Sequence, residues 1–205
     1  MPLQEMAEAV AAMLGPERPC YIRLPIGWPG DVCDFTSALD YLGFDGAGGI
    51  GSGPGMAVGA ALALQGSDRL PVAILGDGDF LMSATALWTA VHLRLPLLVL
   101  VANNRSFFND ELHQERVARM RDRPVENRWV GQAIRDPDLD HAALARAQGC
   151  AGIGPIADPR KLVAALKEGA AHVREGRCCV VDVRVRPGYD AGTAAAVTRA
   201  APAPR

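Results

Sequence analysis

The chain has 205 residues, of which 49% are hydrophobic, 21% charged and 5% aromatic, and its formal net charge is -2. That balance is too apolar for a disordered chain and carries no basic excess for a nucleic-acid surface. The longest apolar run, Leu95–Ala102, has the length of a buried strand and falls far short of the roughly 18 residues of a membrane span.

Met1 is followed by Pro2, Gln4 and Glu5 rather than by a basic segment and an apolar core, so no secretory signal is visible. Five cysteines (Cys20, Cys33, Cys150, Cys178 and Cys179) form no CxxC pair. An odd count without that spacing reads as buried or free thiols of a reducing compartment, and the expected location is the cytoplasm.

Leu3–Leu14 spaces its apolar residues as an amphipathic helix, and Cys20–Leu24 reads as a strand. A glycine-dense loop, Gly46–Gly55, leads into a small-residue helix over Met56–Leu64. Val72–Leu75 then predicts a strand, Ser83–Leu93 a helix and Leu97–Ala102 a second apolar strand. A polar, charge-dense segment runs from Asn103 to about Asp138. Asp140 caps a helix over His141–Gln148, and Asp158 with Pro159 opens another, because proline is pre-set for the first helical position. Cys178–Val185 is the last predicted strand. Ala191–Arg205, rich in Ala, Thr and Pro, predicts a disordered tail.

Strands alternating with helices predict an α/β fold: a three-layer α/β/α sandwich around a mostly parallel, doubly wound sheet. One domain over residues 1–190 is expected, without internal repeats. Such sheets bind ligands at the carboxyl ends of their strands, so the residues just after strands are the informative ones. Two such sets stand out. Gly76-Asp77-Gly78-Asp79 succeeds the strand at Val72–Leu75, and Asn103-Asn104-Arg105-Ser106 succeeds the strand at Leu97–Ala102.

An acid between glycines lets the backbone turn tightly and offers N–H groups to an anion while its carboxylate serves a cation. Asp77 and Asn104 lie 27 positions apart, one strand–helix–strand unit, which places both at the same sheet edge on neighbouring or near-neighbouring strands. A carboxylate, an amide oxygen and a nearby main-chain carbonyl make a hard oxygen shell with room for water and phosphate oxygens on an octahedral Mg²⁺. Glycine backbone and the start of the helix at Ser83 would serve the anion. The pair reads as a metal–diphosphate site.

This arrangement resembles the thiamine-diphosphate signature, which opens on GDG and closes on NN after a similar interval. Ser83–Asn104 resembles benzoylformate decarboxylases and their acetolactate-synthase relatives, Gly48–Ala61 resembles the glycine-rich segment upstream, and Asp136–Gly149 resembles the stretch after it. The likeness covers about Asp34 to Arg186, the diphosphate-binding domain of that superfamily. It implies thiamine diphosphate and Mg²⁺ as cofactors, with Asp77 and Asn104 ligating through side chains and Ser106 through its backbone carbonyl. Gly76, Gly78 and Asp79 would line the diphosphate, Asp79 through its N–H alone, because its carboxylate, where the family often has serine, would face an anion.

Ile50, beside Gly51, falls where the family places an apolar residue under the thiazolium ring; ordinary core packing is the alternative. Thr36 and Ser37 resemble hydroxyls that touch the diphosphate, although the stretch before Gly48 is shorter than in the relatives.

Family members activate the cofactor with a glutamate on a separate, homologous pyrimidine-binding domain, and no second α/β domain is visible here. Glu111 and Glu115 read as solvated charges. The resemblance therefore implies a partner: a short subunit completed by a pyrimidine-domain chain, in an α₂β₂ assembly acting on a 2-oxo acid or related carbonyl compound. The activity would be that of a decarboxylase, carboligase or C–C lyase.

Ser106–Trp129 corresponds to a region that closes over the cofactor in relatives, and Arg105, His113, Arg116 and Arg119 could pair with a substrate carboxylate; a solvated amphipathic helix is the alternative. Two rival readings remain. Gly46–Gly51 matches GxGxxG with Asp77 near the distance of a ribose-binding acid, which suggests a nicotinamide-binding Rossmann domain, but Asp40–Asp45 makes a poor leading strand. A non-catalytic, regulatory cofactor-binding subunit would share every motif of the first reading. The sequence shows neither a Walker loop nor a GxSxG elbow.

Overall fold

The apolar strands alternate side chains toward two separate cores, and this alternation builds a three-layer sandwich. A computed structural model of the protein describes residues 1–43 and 49–189. Its elements, in chain order, are α1 (Leu3–Leu14), β1 (Pro19–Tyr21), α2 (Gly53–Ala63), β2 (Leu70–Gly76), α3 (Asp77–Ser83), α4 (Leu87–His92), β3 (Leu97–Asn103), α5 (Phe108–Met120), α6 (His141–Ala147), β4 (Ala151–Ile156), α7 (Pro159–Arg174) and β5 (Cys178–Arg184). The five strands pair in parallel, in the order β1-β2-β3-β5-β4.

Val72, Ile74, Leu98, Leu100, Val181 and Val183 face α1 and α7, whose contributions include Met6, Val10, Leu162 and Leu166. Ala73, Leu75, Leu97, Val99, Val101 and Val180 face the other way, onto Ala57 and Ala61 of α2, Phe80 of α3, Leu87 of α4 and Ala145 of α6. Burial on both faces is why these strands read as continuous apolar runs instead of alternating ones. The small residues of α2 let that helix lie close to the sheet.

Most predicted elements are present, with shifted ends. Asp140 and Asp158 cap α6 and α7, accepting from Ala143 N at 2.7 Å and Arg160 N at 3.0 Å. Three differences matter. The predicted helix over Ser83–Leu93 is two helices joined by a tight turn at Ala84–Ala86, and the first begins six residues earlier, at Asp77. The polar segment after β3 contains a 13-residue helix, α5. A fifth strand, β4, occupies Ala151–Ile156, where the sequence pattern predicts none. The expected tail, Ala191–Arg205, lies outside the described residues.

Candidate functional site

β2 ends at Gly76, whose Cα partner in β3 is Ala102, so the two strands deliver Asp77 and the Asn103–Ser106 loop side by side. Gly76 is extended (φ -66°, ψ 153°) and the chain turns helical at Asp77. The N–H groups at this helix start therefore belong to residues 77–79, which corrects the assignment of that role to Ser83. Ser83 closes α3, and its hydroxyl donates to the Gly51 carbonyl.

The Asp77 side chain is 1% exposed. Its Oδ1 accepts from Gly78 N at 3.0 Å and its Oδ2 from Arg105 N at 2.5 Å. No cationic side chain among the described residues is paired with it. Burial pushes its pKa up to about 6, although the backbone donors oppose the rise.

Opposite Asp77, the Asn104 Oδ1 accepts from Ser106 N at 2.9 Å, closing a tight turn. Arg105 sits within that turn at φ 62°, a left-handed conformation. The turn is held from outside by Phe107 N donating to Gln132 O at 2.9 Å and Ile134 N donating to Arg105 O at 2.8 Å. Asn103 points elsewhere: its Nδ2 donates to Asp182 Oδ1 at 2.9 Å, beneath the loop. Phe107 covers Gly78, where a Cβ would fall 2.3 Å from the ring.

On the other side of Asp77 lies the glycine loop. Asp79 Oδ1 accepts from Gly51 N at 2.6 Å and from Gly53 N at 3.2 Å. Its Oδ2 lies 3.1 Å from Arg23 Nε, both side chains being buried. Arg23 also donates to Ser52 Oγ at 2.8 Å and to Gly49 O at 3.4 Å. The Asp79 carboxylate is thus committed to this loop and to Arg23, which leaves its backbone as the part that could meet an anion. Gly51 adopts φ +93°, which favours glycine, and a Cβ on Gly53 would fall 2.2 Å from the Asp79 carboxylate. Ile50 is 45% exposed, so the core-packing alternative does not hold. Gly46, Ala47 and Gly48 of the GxGxxG match lie outside the described residues.

The structure does not bring Thr36 and Ser37 to this cluster. Their N–H groups donate to Asp40 Oδ2 at 2.7 and 2.6 Å, and Asp40 Oδ1 pairs with Arg69 at 2.6 Å. Arg69 immediately precedes β2, whereas Asp77 lies just past its carboxyl end. His113, Arg116 and Arg119 lie along α5, and the Arg119 guanidinium is committed to Glu115 at 2.7 Å. Glu111 is not a solvated charge: it is buried, and it accepts from the Ser106 hydroxyl. Sequence reasoning missed Arg23 as well, although a single arginine inside the apolar run Cys20–Leu24 was a usable signal.

The profile described as "Thiamine pyrophosphate enzyme, C-terminal TPP binding domain" matches residues 27–183. The chain belongs to this thiamine pyrophosphate enzyme family. The match spans Gly76, Gly78, Asn103 and Asn104, residues that the nicotinamide-binding alternative left without a role.

The chain is 32% identical over 151 residues to the acetolactate synthase isozyme 3 large subunit of Escherichia coli (strain K12), covering 74% of this chain and 24% of that protein. It is 30% identical over 136 residues to a benzoylformate decarboxylase of Pseudomonas aeruginosa, covering 62% and 22%. It therefore spans about a quarter of the length of these relatives.

Among solved structures, the thiamine diphosphate-dependent 4-hydroxybenzoylformate decarboxylase of Rhodococcus jostii RHA1 superposes with a TM-score of 0.71 at 23% identity, over 93% of this chain and 33% of that one. The benzoylformate decarboxylase of Polynucleobacter necessarius gives 0.69 at 20% identity, over 92% and 33%. These two likenesses establish the fold, an α/β sandwich of the family's C-terminal domain. No helix among the described residues is long and apolar enough to cross a membrane.

Proposed function

We propose that this chain binds the diphosphate of thiamine diphosphate together with Mg²⁺, as the diphosphate-binding subunit of a cytoplasmic 2-oxo-acid decarboxylase, carboligase or C–C lyase. The observation that carries the reading is Asp77: a buried carboxylate without a cationic partner among the described residues, one hydrogen bond away from the Asn104–Ser106 turn. A buried carboxylate in such a place favours a cation, and oxygen donors suit a hard divalent one. Asp77, Asn104 through its amide oxygen and Ser106 through its carbonyl would hold the metal. The backbone of Gly76, Gly78 and Asp79 would meet the diphosphate, and the exposed Ile50 beside Gly51 would support the thiazolium ring. Bound there, thiamine diphosphate supplies a nucleophilic carbon that adds to a carbonyl and then stores the electron pair released.

The chain's own contribution is to bind and orient. Asp79 and Arg23 fix the loop that carries Ile50, and Asp77 anchors the Arg105 peptide. The activating glutamate would come from a pyrimidine-binding domain on a separate partner subunit, in an α₂β₂ assembly. About three-quarters of each relative's length lies outside the matched stretch.

The test is calorimetric titration of thiamine diphosphate with Mg²⁺ into the chain, alone and mixed with a candidate pyrimidine-domain subunit. Binding that requires Mg²⁺ and disappears in Asp77→Ala is expected. Absence of binding in both preparations would refute the assignment.

A further inference from the structure

Beyond the residues that would touch the metal, one acid is placed to control them. Glu111 stands in the first turn of α5, and its Oε1 accepts the hydroxyl proton of Ser106, both side chains being buried. Ser106 is the residue whose carbonyl would face the metal, so whatever orients its peptide orients that carbonyl. The peptide that carries this carbonyl is also tied through Phe107 N, which donates to Gln132 O at 2.9 Å, and the preceding peptide through Ser106 N, which donates to Asn104 Oδ1 at 2.9 Å.

Arg105 just before it holds a left-handed backbone at φ 62°, a conformation that persists when surroundings impose it. The Glu111–Ser106 bond supplies such a constraint from below. Glu111 is itself held: its Oε2 lies 3.8 Å from Arg128 Nε, and Arg128 also grips Glu115, which in turn accepts from Arg119 Nε at 3.0 Å. The chain of contacts runs from the buried turn to the surface of α5 and ties the 125–130 stretch to it.

We propose that Glu111 is a positioning residue for the metal-binding turn: its carboxylate locks the Ser106 hydroxyl and thereby aims the Ser106 carbonyl at the cation. The proposal rests on the metal–diphosphate reading of Asp77, Asn104 and Ser106. Partners that orient a ligand without touching the metal are worth about 10- to 100-fold in metal affinity when removed. The bond, not the charge, does the aiming. A glutamine at 111 keeps an oxygen for the Ser106 hydroxyl, whereas an alanine does not.

The experiment titrates MgCl₂ into the full chain at saturating thiamine diphosphate, with the partner subunit present if binding requires it. Glu111→Ala is expected to raise the Mg²⁺ Kd by about 10-fold or more. Ser106→Ala, which keeps the backbone carbonyl and deletes one oxygen, should raise it as much, and it serves alone should Glu111→Ala fail to fold. The double variant should be no worse than either single one, because both remove the same bond. Glu111→Gln should stay within about 3-fold of the wild type. A merely structural role would lower the melting temperature without moving the Mg²⁺ Kd, and that result would overturn the proposal. So would losses in the two single variants that add in the double one. If the wild type takes up no Mg²⁺ with thiamine diphosphate, the underlying site assignment fails, and the proposal falls with it.

Discussion

Asp77 and Asp79 share one helical turn, and both are nearly inaccessible, at 1% and 7% exposure, yet their surroundings are opposite. Asp79 has a buried arginine at 3.1 Å and two loop N–H groups on its other oxygen. Asp77 has backbone donors alone among the described residues, and burial pushes its pKa up to about 6. The difference separates structure from readiness. A buried carboxylate with its counter-ion in place is a strut, because its desolvation is already offset. One without a counter-ion is held in a costly state that a divalent cation would relieve.

The largest expected effect breaks the strut. Asp79→Ala removes the carboxylate that lies 3.1 Å from the buried Arg23 side chain, and removal of one partner from such a pair costs about 3–5 kcal/mol. The denaturant midpoint of the apo chain should fall accordingly. Replacing both residues, as in Arg23→Met with Asp79→Leu, should recover most of that loss. If Asp79→Ala unfolds at the wild-type midpoint, the pair is not a strut.

Asp77 predicts the reverse. Asp77→Asn removes an unpaired buried charge, so without metal at pH 8 it should be more stable than wild type by about 1–3 kcal/mol. The same variant should lose Mg²⁺-dependent binding of thiamine diphosphate. A metal-free Asp77→Asn that melts below wild type would show that the backbone bonds to Asp77 outweigh its desolvation. Ile50 belongs to neither class. Being 45% exposed, Ile50→Ala should change stability by less than about 0.5 kcal/mol, while turnover of the assembled enzyme drops. Unchanged turnover would remove Ile50 from the site.

The sandwich and the convergence of Asp77 with Asn104 were legible because they depend on local pattern: apolar runs, their spacing, and the residues at the end of each run. The hidden features depend on packing across the chain. β4 escaped because Ala151–Ile156 holds two glycines and a proline and only half buries its residues. It pairs nonetheless, with a register irregularity between Ile153 and Ile156, and a Cβ on Gly154 would fall 2.6 Å from the Asp182 carbonyl. Glycine there permits close backbone approach to β5 rather than breaking the strand. Glu111 escaped because NDELHQER reads as a solvated helix face, and nothing local announces that one of its acids turns inward to a serine five residues back. The early start of α3 was masked by glycines that resemble a turn.

Asp40 is a third aspartate, and it tests the same contrast at the surface. Arg69 first, then the N–H groups of Thr36 and Ser37, hold its carboxyl down at about 2, well below the ordinary 3.8. A depressed carboxylate contributes stability that is complete above the unfolded value and is lost as pH falls through the folded one. The stability difference between wild type and Asp40→Asn should thus be constant above about pH 4 and vanish as pH falls from there to about 2. Asp40 also bears on function. The Thr36 and Ser37 N–H groups are spent on Asp40, at the end of β2 remote from Asp77, so Thr36→Ala and Ser37→Ala should leave the Kd for thiamine diphosphate unchanged. A several-fold weakening in either would mean that this loop leaves Asp40 to reach the cofactor, and the amino-end placement would no longer describe the bound state.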